Sequence, residues 1–288
     1  NIFLLKVAIK FLKKDLDKLE VIDMEKLIKG FNENKIRKVN GENYSEQTKS
    51  NLKITLIAFL RYTIKDSSRV AELTDWIETS FKNKEIPALT EEEIMKLLSK
   101  CYTLQQKVLI SCLFDTGARI EEFLNIRLSD VIEVKATIPY YKITLREEFS
   151  KTKGRTIGLF WKPTTEIIRQ WLEEHPKKNS LNEQFFPSTY HGVRKVLHKI
   201  GMRSLDKSIN PHLFRHSSAT YYAGMGLDYF QLCKRYGWSI GSNMPQKYID
   251  RSGIGEKELS EKFINKNVKD LTDDLEKVKR EKIMEKDM

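Results

Sequence analysis

The stretch Leu104–Ile126, LQQKVLISCLFDTGARIEEFLNI, has the pattern of two helices joined by a tight turn. Its apolar positions predict a helix over Leu104–Thr116, and Gly117 permits the turn that follows. A second helix is predicted over Ile120–Ile126. Arg119 therefore stands where this helix opens, beside free backbone N–H groups that favour an anion. A solvated arginine fits the same fragment taken alone.

Segments on both sides of this stretch complete a second domain. Upstream, Thr90 followed by three glutamates forms a capping box, which predicts a helix over Glu91–Lys100. Downstream, Thr137–Leu145 and Arg155–Phe160 are rich in β-branched and aromatic residues and predict two strands. The polar segment Glu147–Gly154 is the expected hairpin loop. The fold class predicted is mainly α, with one small antiparallel β-sheet in the second domain.

The segment before Phe81 shows helical periodicity almost throughout, which predicts a small helical domain over residues 1–86. Phe81–Ala88, FKNKEIPA, lacks periodicity and contains a proline, so an extended linker is expected there. The second domain is expected to run over residues 87–265. Residues 266–288 are predicted to form a C-terminal helical tail with heptad-like apolar spacing.

Composition indicates the class of partner. Lysine and arginine number 51 against 40 aspartates and glutamates, which gives a net charge of +11. This excess indicates a polyanionic partner, either nucleic acid or an anionic membrane surface. No apolar run reaches the roughly 18 to 20 residues that a membrane-spanning helix needs. Three scattered cysteines are typical of reduced thiols. The expectation is a cytoplasmic protein with no disulfide, no zinc and no membrane partner.

The first domain carries a candidate DNA-binding face. The helix predicted to open at Ser45 offers Lys49, Lys53 and Arg61 on or near its polar side. Such a face suits the DNA backbone, although a merely solvated face fits the pattern equally well.

The second domain holds residues suited to a phosphodiester. Loop lysines follow Ser150, and His212 and Arg215 lie three apart on one predicted helix face. His216 lies four residues beyond His212, a spacing that can bind zinc on a helix. Zinc is not expected here, because no glutamate follows His212 and no further ligand lies nearby in the sequence.

Taken in order, these motifs resemble the tyrosine recombinases, the family of phage integrases and Xer-type chromosome resolvers. TGARIEEFLNIRLSDV (116–131) resembles the family's first arginine box, with Arg119 and the supporting acid Glu122. SKTKGRTIGL (150–159) resembles its hairpin lysine motif. PHLFRHSSATYYAGMG (211–226) matches its second box, and YGW (236–238) precedes QKYID (246–250). The resemblance covers roughly residues 87–260. The first domain suits the family's core-binding domain by position and composition.

The resemblance implies a catalytic set and a DNA-contacting set. The catalytic residues would be Arg119, Lys151, His212, Arg215, Trp238 and the nucleophile Tyr248. Trp238 stands where many members have histidine, and Lys153 could serve in place of Lys151. Besides Lys49, Lys53 and Arg61, the residues Lys153 and Arg155 are expected to contact DNA.

The chemistry implied is metal-free and uses no cofactor. Tyr248 would attack a DNA phosphate to leave a 3′-phosphotyrosine, which a 5′ hydroxyl reverses. The partner expected is double-stranded DNA, with a monomer in solution that assembles into a homo-tetramer on paired sites. The lysine-rich composition and the integrase-like spacing of the motifs lean toward a mobile element, with an archaeal source as one option. Viral or plasmid integration and chromosome dimer resolution both stay open as the biological role. Two alternatives stay open: strand relaxation of the type IB topoisomerase kind, and a catalytically silent DNA-binding regulator.

Overall fold

The computed structural model describes residues 2–80 and 87–252, which belong to two compact units. The division between the units lies between Ile86 and Pro87. Most of the linker predicted over Phe81–Ala88, and the whole tail predicted over residues 266–288, lie outside the described residues. In the described ranges, no helix is both long enough and apolar enough to cross a membrane.

The first unit is helical in its described part. Its α-helices are α1 (Ile2–Leu12), α2 (Val21–Asn32), α3 (Glu46–Thr63) and α4 (Ser67–Thr74). The predicted N-cap is confirmed, because the Ser45 hydroxyl accepts a hydrogen bond from the Thr48 backbone N–H at 3.3 Å. Leu27, Leu56 and Leu60 are completely buried where these helices pack together. The apolar stripe of each helix thus faces a shared core.

The second unit consists of helices around one small sheet. Its elements are α5 (Glu91–Ser99), α6 (Leu104–Thr116), α7 (Ile120–Leu124), β1 (Val131–Val134), β2 (Tyr140–Leu145), β3 (Arg155–Leu159), α8 (Lys162–Glu174), α9 (Tyr190–Leu205), α10 (Pro211–Gly224), α11 (Tyr229–Tyr236) and α12 (Met244–Ser252). This content confirms the predicted fold class.

The sheet has one strand more than the two predicted. Its order is β1-β2-β3, antiparallel throughout, with Val131 opposite Ile143 and Tyr141 opposite Leu159. Strand β1 has only four residues, too few for its alternation to stand out from the surrounding sequence. The β2–β3 hairpin carries residues 146–154 at its end, and this loop reaches the site described below.

Helix α6 forms the centre of the second core, with Val108–Thr116 buried. Its bounds were predicted correctly. It ends at Gly117, whose φ of +56° lies in the left-handed region. A Cβ at this position would also collide with the ring of Tyr236. A glycine is therefore required where the chain turns from α6 toward Arg119.

Candidate active site

Residues from four separate stretches of the second unit line one cleft of about 420 Å³. The lining residues are Ala118, Arg119, Ile120, Glu121, Lys151, Tyr190, Arg194, Asn210, Pro211, His212 and Arg215. Four of these side chains are cationic and one is acidic, so the cleft suits an anion. The structure thus brings Arg119, Lys151, His212 and Arg215 together.

Arg119 is held in place by Glu122. Its backbone N–H donates to Glu122 Oε2 at 2.8 Å, and its Nη1 donates to Oε1 at 3.0 Å. Helix α7 has only five residues, fewer than the seven predicted. The affinity of this part of the cleft for an anion must therefore come from the guanidinium rather than from the dipole of so short a helix.

Glu122 connects three parts of the unit. Besides Arg119, its carboxylate accepts two hydrogen bonds from Arg155, at 3.0 and 2.9 Å, and one from the Ser150 hydroxyl at 2.6 Å. Burial alone would raise the pKa of this carboxyl. The hydrogen bonds from Arg155 and Ser150, the charge of Arg155 and the Arg119 N–H outweigh burial and lower the pKa to about 2. Glu122 therefore remains ionised at neutral pH.

Arg215 is buried, with 6% of its surface exposed. It donates to the carbonyl of Gly117 at 2.9 Å and to the carbonyl of Tyr236. Burial, followed by the nearby charges of Arg119 and Arg155, lowers the pKa of Arg215 to about 10. The guanidinium is still protonated at neutral pH, and a bound anion would relieve the repulsion from its neighbours.

His212 lies in the first turn of α10, which Asn210 caps by accepting a hydrogen bond from the Leu213 N–H at 3.0 Å. Desolvation, assisted by the charges of Arg215 and Arg119, lowers the pKa of His212 below the usual 6.5. The imidazole is therefore neutral at pH 7 and able to accept a proton.

The hairpin loop contributes Lys151 to the cleft. Its neighbours are ordered by side-chain contacts, since Ser150 Oγ lies 3.1 Å from Thr152 Oγ1 and accepts from the Thr152 N–H at 3.2 Å. Of the two candidate lysines of this loop, Lys151 is the one that lines the cleft.

Tyr248 lies outside the cleft lining, on α12. Its ring stacks on Trp238 with centroids 5.4 Å apart and planes 6° from parallel, and its hydroxyl lies 3.2 Å from His216 Nδ1. Only 6% of its surface is exposed. Trp238 also contacts the Arg215 guanidinium, which lies 5.5 Å from the indole ring. Trp238 thus lies between the predicted nucleophile and Arg215, which lines the cleft.

Two of the residues predicted to contact DNA, Arg155 and Lys49, are buried in this structure. Both terminal nitrogens of Arg155 donate hydrogen bonds to the Glu122 carboxylate, and its Nε donates to the carbonyl of Arg235 at 2.9 Å. Lys49 is 4% exposed and pairs with Glu46 at 2.7 Å. Each charge is thus paired with a carboxylate of the protein itself, and DNA contact by these two residues stays a prediction.

The remaining predicted DNA contacts are accessible to different degrees. Lys53 is half-buried and donates to the carbonyl of Glu78 at 3.0 Å. Arg61 and Lys153 are exposed. DNA contact by these three side chains stays a prediction.

Arg194 and Tyr190, one turn apart on α9, line the cleft but were not identified from the sequence. The guanidinium carbon of Arg194 lies 5.9 Å from the Tyr190 ring centroid. The i, i+4 spacing of an aromatic and an arginine was the available signal. It was too common to single out a helix that carries none of the recognised motifs.

In the described ranges, no cluster of three or more His, Cys, Asp or Glu side chains has the geometry to hold a metal ion. Within the part of the chain that the structure describes, no third such side chain joins His212 and His216, which have the spacing of zinc ligands on a helix.

A profile described as the phage integrase family matches residues 87–253. The tyrosine recombinase XerA of Saccharolobus solfataricus is 25% identical over 234 residues, which cover 79% of this chain and 73% of the relative. The tyrosine recombinase XerC of Staphylococcus epidermidis is 28% identical over 204 residues, which cover 64% of this chain and 66% of the relative. This chain thus spans about two thirds of the length of XerC.

The solved structure of the XerH site-specific recombinase bound to palindromic difH substrate, a post-cleavage complex, has a TM-score of 0.64 to this chain. The alignment covers 89% of this chain and 77% of that one, at 19% sequence identity. At this identity the likeness concerns the fold.

Proposed function

The chain belongs to the phage integrase family, and on that premise we propose that it is a site-specific DNA recombinase that cuts and rejoins strands through a 3′-phosphotyrosine on Tyr248. The observation that carries the proposal is the cleft in which Arg119, Lys151, His212 and Arg215 meet. These side chains come from three motifs separated by up to about a hundred residues. Together they would bind the charged oxygens of a phosphodiester and exchange protons with the nucleophile and the leaving group.

Phosphodiesters resist nucleophiles because the non-bridging oxygens are negatively charged. Arg119 and Arg215 would bind those oxygens and stabilise the charge that develops in the transition state. The hydrogen bonds of Arg119 to Glu122, and of Arg215 to backbone carbonyls, fix both guanidinium groups before DNA arrives. Such preorganisation avoids reorientation during the reaction.

Proton transfers follow from the same residues. The Tyr248 oxygen would bond to phosphorus while the bond from phosphorus to the 5′ oxygen breaks. The phenol proton would pass to His212, whose pKa is lowered by desolvation, Arg215 and Arg119. Lys151 would protonate the departing 5′ oxygen. Rejoining is the reverse reaction, in which a 5′ hydroxyl attacks the phosphotyrosine without ATP.

The attack requires Tyr248 to approach the cleft. Its ring packs on Trp238, and Trp238 contacts Arg215. We propose that binding of DNA turns the phenol from this stacked position toward the phosphate while its oxygen stays within hydrogen-bonding reach of His216 on α10. Helix α12 packs on α10 and α11, so we propose that a shift of this helix against α10 carries the phenol toward the cleft.

The partner proposed is double-stranded DNA, and the assembly proposed is a homo-tetramer on two paired sites. Exchange between two duplexes requires four strand cleavages and therefore four nucleophiles. Support comes from a lambda integrase that has been solved as a tetramer bound to a Holliday junction. The net charge of +11 favours a polyanion in any assembly state.

Covalent trapping tests the proposal and finds the target sequence in one experiment. A pool of duplexes with a randomised centre and a nick in one strand is incubated with the protein. After cleavage, the short fragment that carries the new 5′ hydroxyl dissociates at the nick, so the strand cannot be rejoined. Adducts that survive denaturation are isolated and sequenced. We expect adducts with the unaltered protein and none with Tyr248→Phe. Equal yields from the two proteins would overturn the assignment.

The selected sequence then separates recombination from relaxation. Plasmids that carry two copies of it should yield recombinant circles. If the supercoiled plasmids are only relaxed, the topoisomerase alternative is correct.

A further inference from the structure

His216, which follows Arg215 on α10, makes a contact that the proposed mechanism does not use. Its Nδ1 lies 3.2 Å from the Tyr248 hydroxyl oxygen, and the two rings are 5.4 Å apart at 54°. The contact is made across the packed faces of α10 and α12. The inference below rests on the proposed function, since it concerns Tyr248 as the nucleophile.

Arg251 lies beside the ring nitrogen of His216 that faces away from the phenol. It lies one turn beyond Tyr248 on α12, and its Nη1 is 3.4 Å from His216 Nε2. Because a guanidinium has only donors, Nε2 of a neutral His216 imidazole acts as the acceptor in this contact. The neutral imidazole then carries its proton on Nδ1. Consequently Nδ1–H points to the phenol oxygen as a donor.

We propose that His216 stabilises the negative charge that develops on the Tyr248 oxygen by donating a hydrogen bond to it, with Arg251 as a positioning residue that fixes the donating tautomer. No proton moves to His216 in this role. The phenol proton leaves toward His212, and the new bond to phosphorus then passes the charge to the phosphoryl oxygens. A donor of this kind lowers the energy of the phenolate relative to the phenol.

The surroundings of Tyr248 show why a donor matters. Burial raises the pKa of the Tyr248 phenol, while the charges of Arg215 and Arg251 act in the opposite direction. Arg215 and His216 face it from α10, and Arg251 lies on its own helix. Tyr236, from α11, lies against Trp238 instead. His216 therefore supplies a directed hydrogen bond where the other favourable groups act through their charge.

A titration of Tyr248 alone tests this role without any DNA. The residue is replaced by 3-fluorotyrosine at position 248 only, and the fluorine chemical shift is followed from pH 6 to 12. Asparagine places an amide N–H near the position of Nδ1, whereas leucine fills the space without a donor. His216→Leu should raise the phenol pKa by about one unit, and His216→Asn should leave it within about 0.3 unit of the unaltered protein.

The result that overturns the proposal is a phenol pKa that His216→Leu leaves unchanged or lowers. Equal shifts from the Asn and Leu variants would overturn it too, because the donor would then have no effect of its own. Should the leucine variant fail to fold, His216→Gln replaces it. Glutamine places its amide near the position of Nε2, away from the phenol oxygen, and should behave as leucine does.

The role of Arg251 is tested by a double-mutant cycle on the same titration. Arg251→Gln should raise the phenol pKa in the unaltered background, and by a smaller amount when His216 is already leucine. Equal effects in the two backgrounds would mean that Arg251 acts on Tyr248 by its charge alone and would overturn its positioning role.

Single-turnover cleavage of the nicked duplex used for covalent trapping tests whether the hydrogen bond from His216 affects the reaction rate. His216→Leu should lower the cleavage rate about tenfold at pH 7 and leave the DNA affinity unchanged, while His216→Asn keeps the rate. Faster cleavage by the leucine variant would mean that His216 restrains Tyr248 and would overturn the proposal. A phenol that titrates as expected in a protein that forms no adduct would refute the recombinase function and leave the hydrogen bond established.

Discussion

Replacing Glu122 by glutamine tests whether the buried carboxylate organises the candidate site. Its side chain is inaccessible to solvent and receives hydrogen bonds from Arg119, Arg155 and Ser150. The pKa falls from 4.5 to about 2 despite the opposing effect of burial. At about 1.4 kcal/mol per pKa unit, the ionised form contributes about 3 kcal/mol to the free energy of unfolding at pH 7. Glutamine removes this contribution and leaves Arg155 buried beside a neutral amide.

The pH dependence of the loss is fixed by the direction of the shift. Because the pKa is lower in the folded state than in the unfolded state, the stabilisation is complete well above pH 4.5 and is lost as the pH falls toward 2. About 1.4 kcal/mol should remain at pH 3. The difference between the unaltered protein and Glu122→Gln should therefore shrink by about half between pH 7 and pH 3.

Urea unfolding followed by tryptophan fluorescence at pH 7, 5, 4 and 3 measures this difference. The second unit contains Trp161 and Trp171, both buried, which report on its unfolding. The matched control is Glu121→Gln, which removes the same charge from an exposed neighbour on the same helix and should change stability by less than about 0.5 kcal/mol. The reasoning is refuted if Glu122→Gln and Glu121→Gln have the same free energy of unfolding at pH 7. It is also refuted if the stability lost in Glu122→Gln does not change with pH.

Two further predictions concern DNA affinity, each measured by equilibrium binding to an unnicked duplex of the selected sequence, in the Tyr248→Phe background, at several salt concentrations. Arg194→Gln should weaken binding and reduce the salt slope by about one, because one phosphate-neutralising cation is lost from the cleft. Arg169→Gln, on α8, removes the same charge from an arginine already paired with a glutamate, and should change neither quantity. In the first unit, Arg61→Gln should reduce the salt slope while Lys49→Gln should not, since only Arg61 is exposed. A salt slope that responds to Lys49 but not to Arg61 would show that the first unit changes conformation on DNA.

The contacts of Glu122 have a wider consequence for the site. Arg155 bonds both to this carboxylate and to the carbonyl of Arg235 at the end of α11, and Ser150 belongs to the loop that carries Lys151. One ionised group thus links the start of α7, the hairpin and α11. A substitution at Arg155 should consequently disturb Arg119 and Lys151 together, although Arg155 itself does not line the cleft.

The sequence by itself determined the features that depend on neighbouring residues. The caps at Ser45 and Thr90 and the bounds of α6 were predicted correctly, because capping and periodicity act within a few residues of the chain. The order of the motifs likewise selected Arg119, Lys151, His212 and Arg215, which share the cleft.

Only the tertiary structure decided which charges face solvent and which hold the site together. Lys49 and Arg155 carry the same charge as the cleft arginines, but packing buries both, and Arg155 is held against the remote carboxylate of Glu122. Arg194, on α9, lines the cleft together with residues that lie far from it in the sequence. His216, on α10, contacts Tyr248 on α12. Burial and hydrogen-bond partners of this kind are set by the packing of remote segments, which no local pattern encodes.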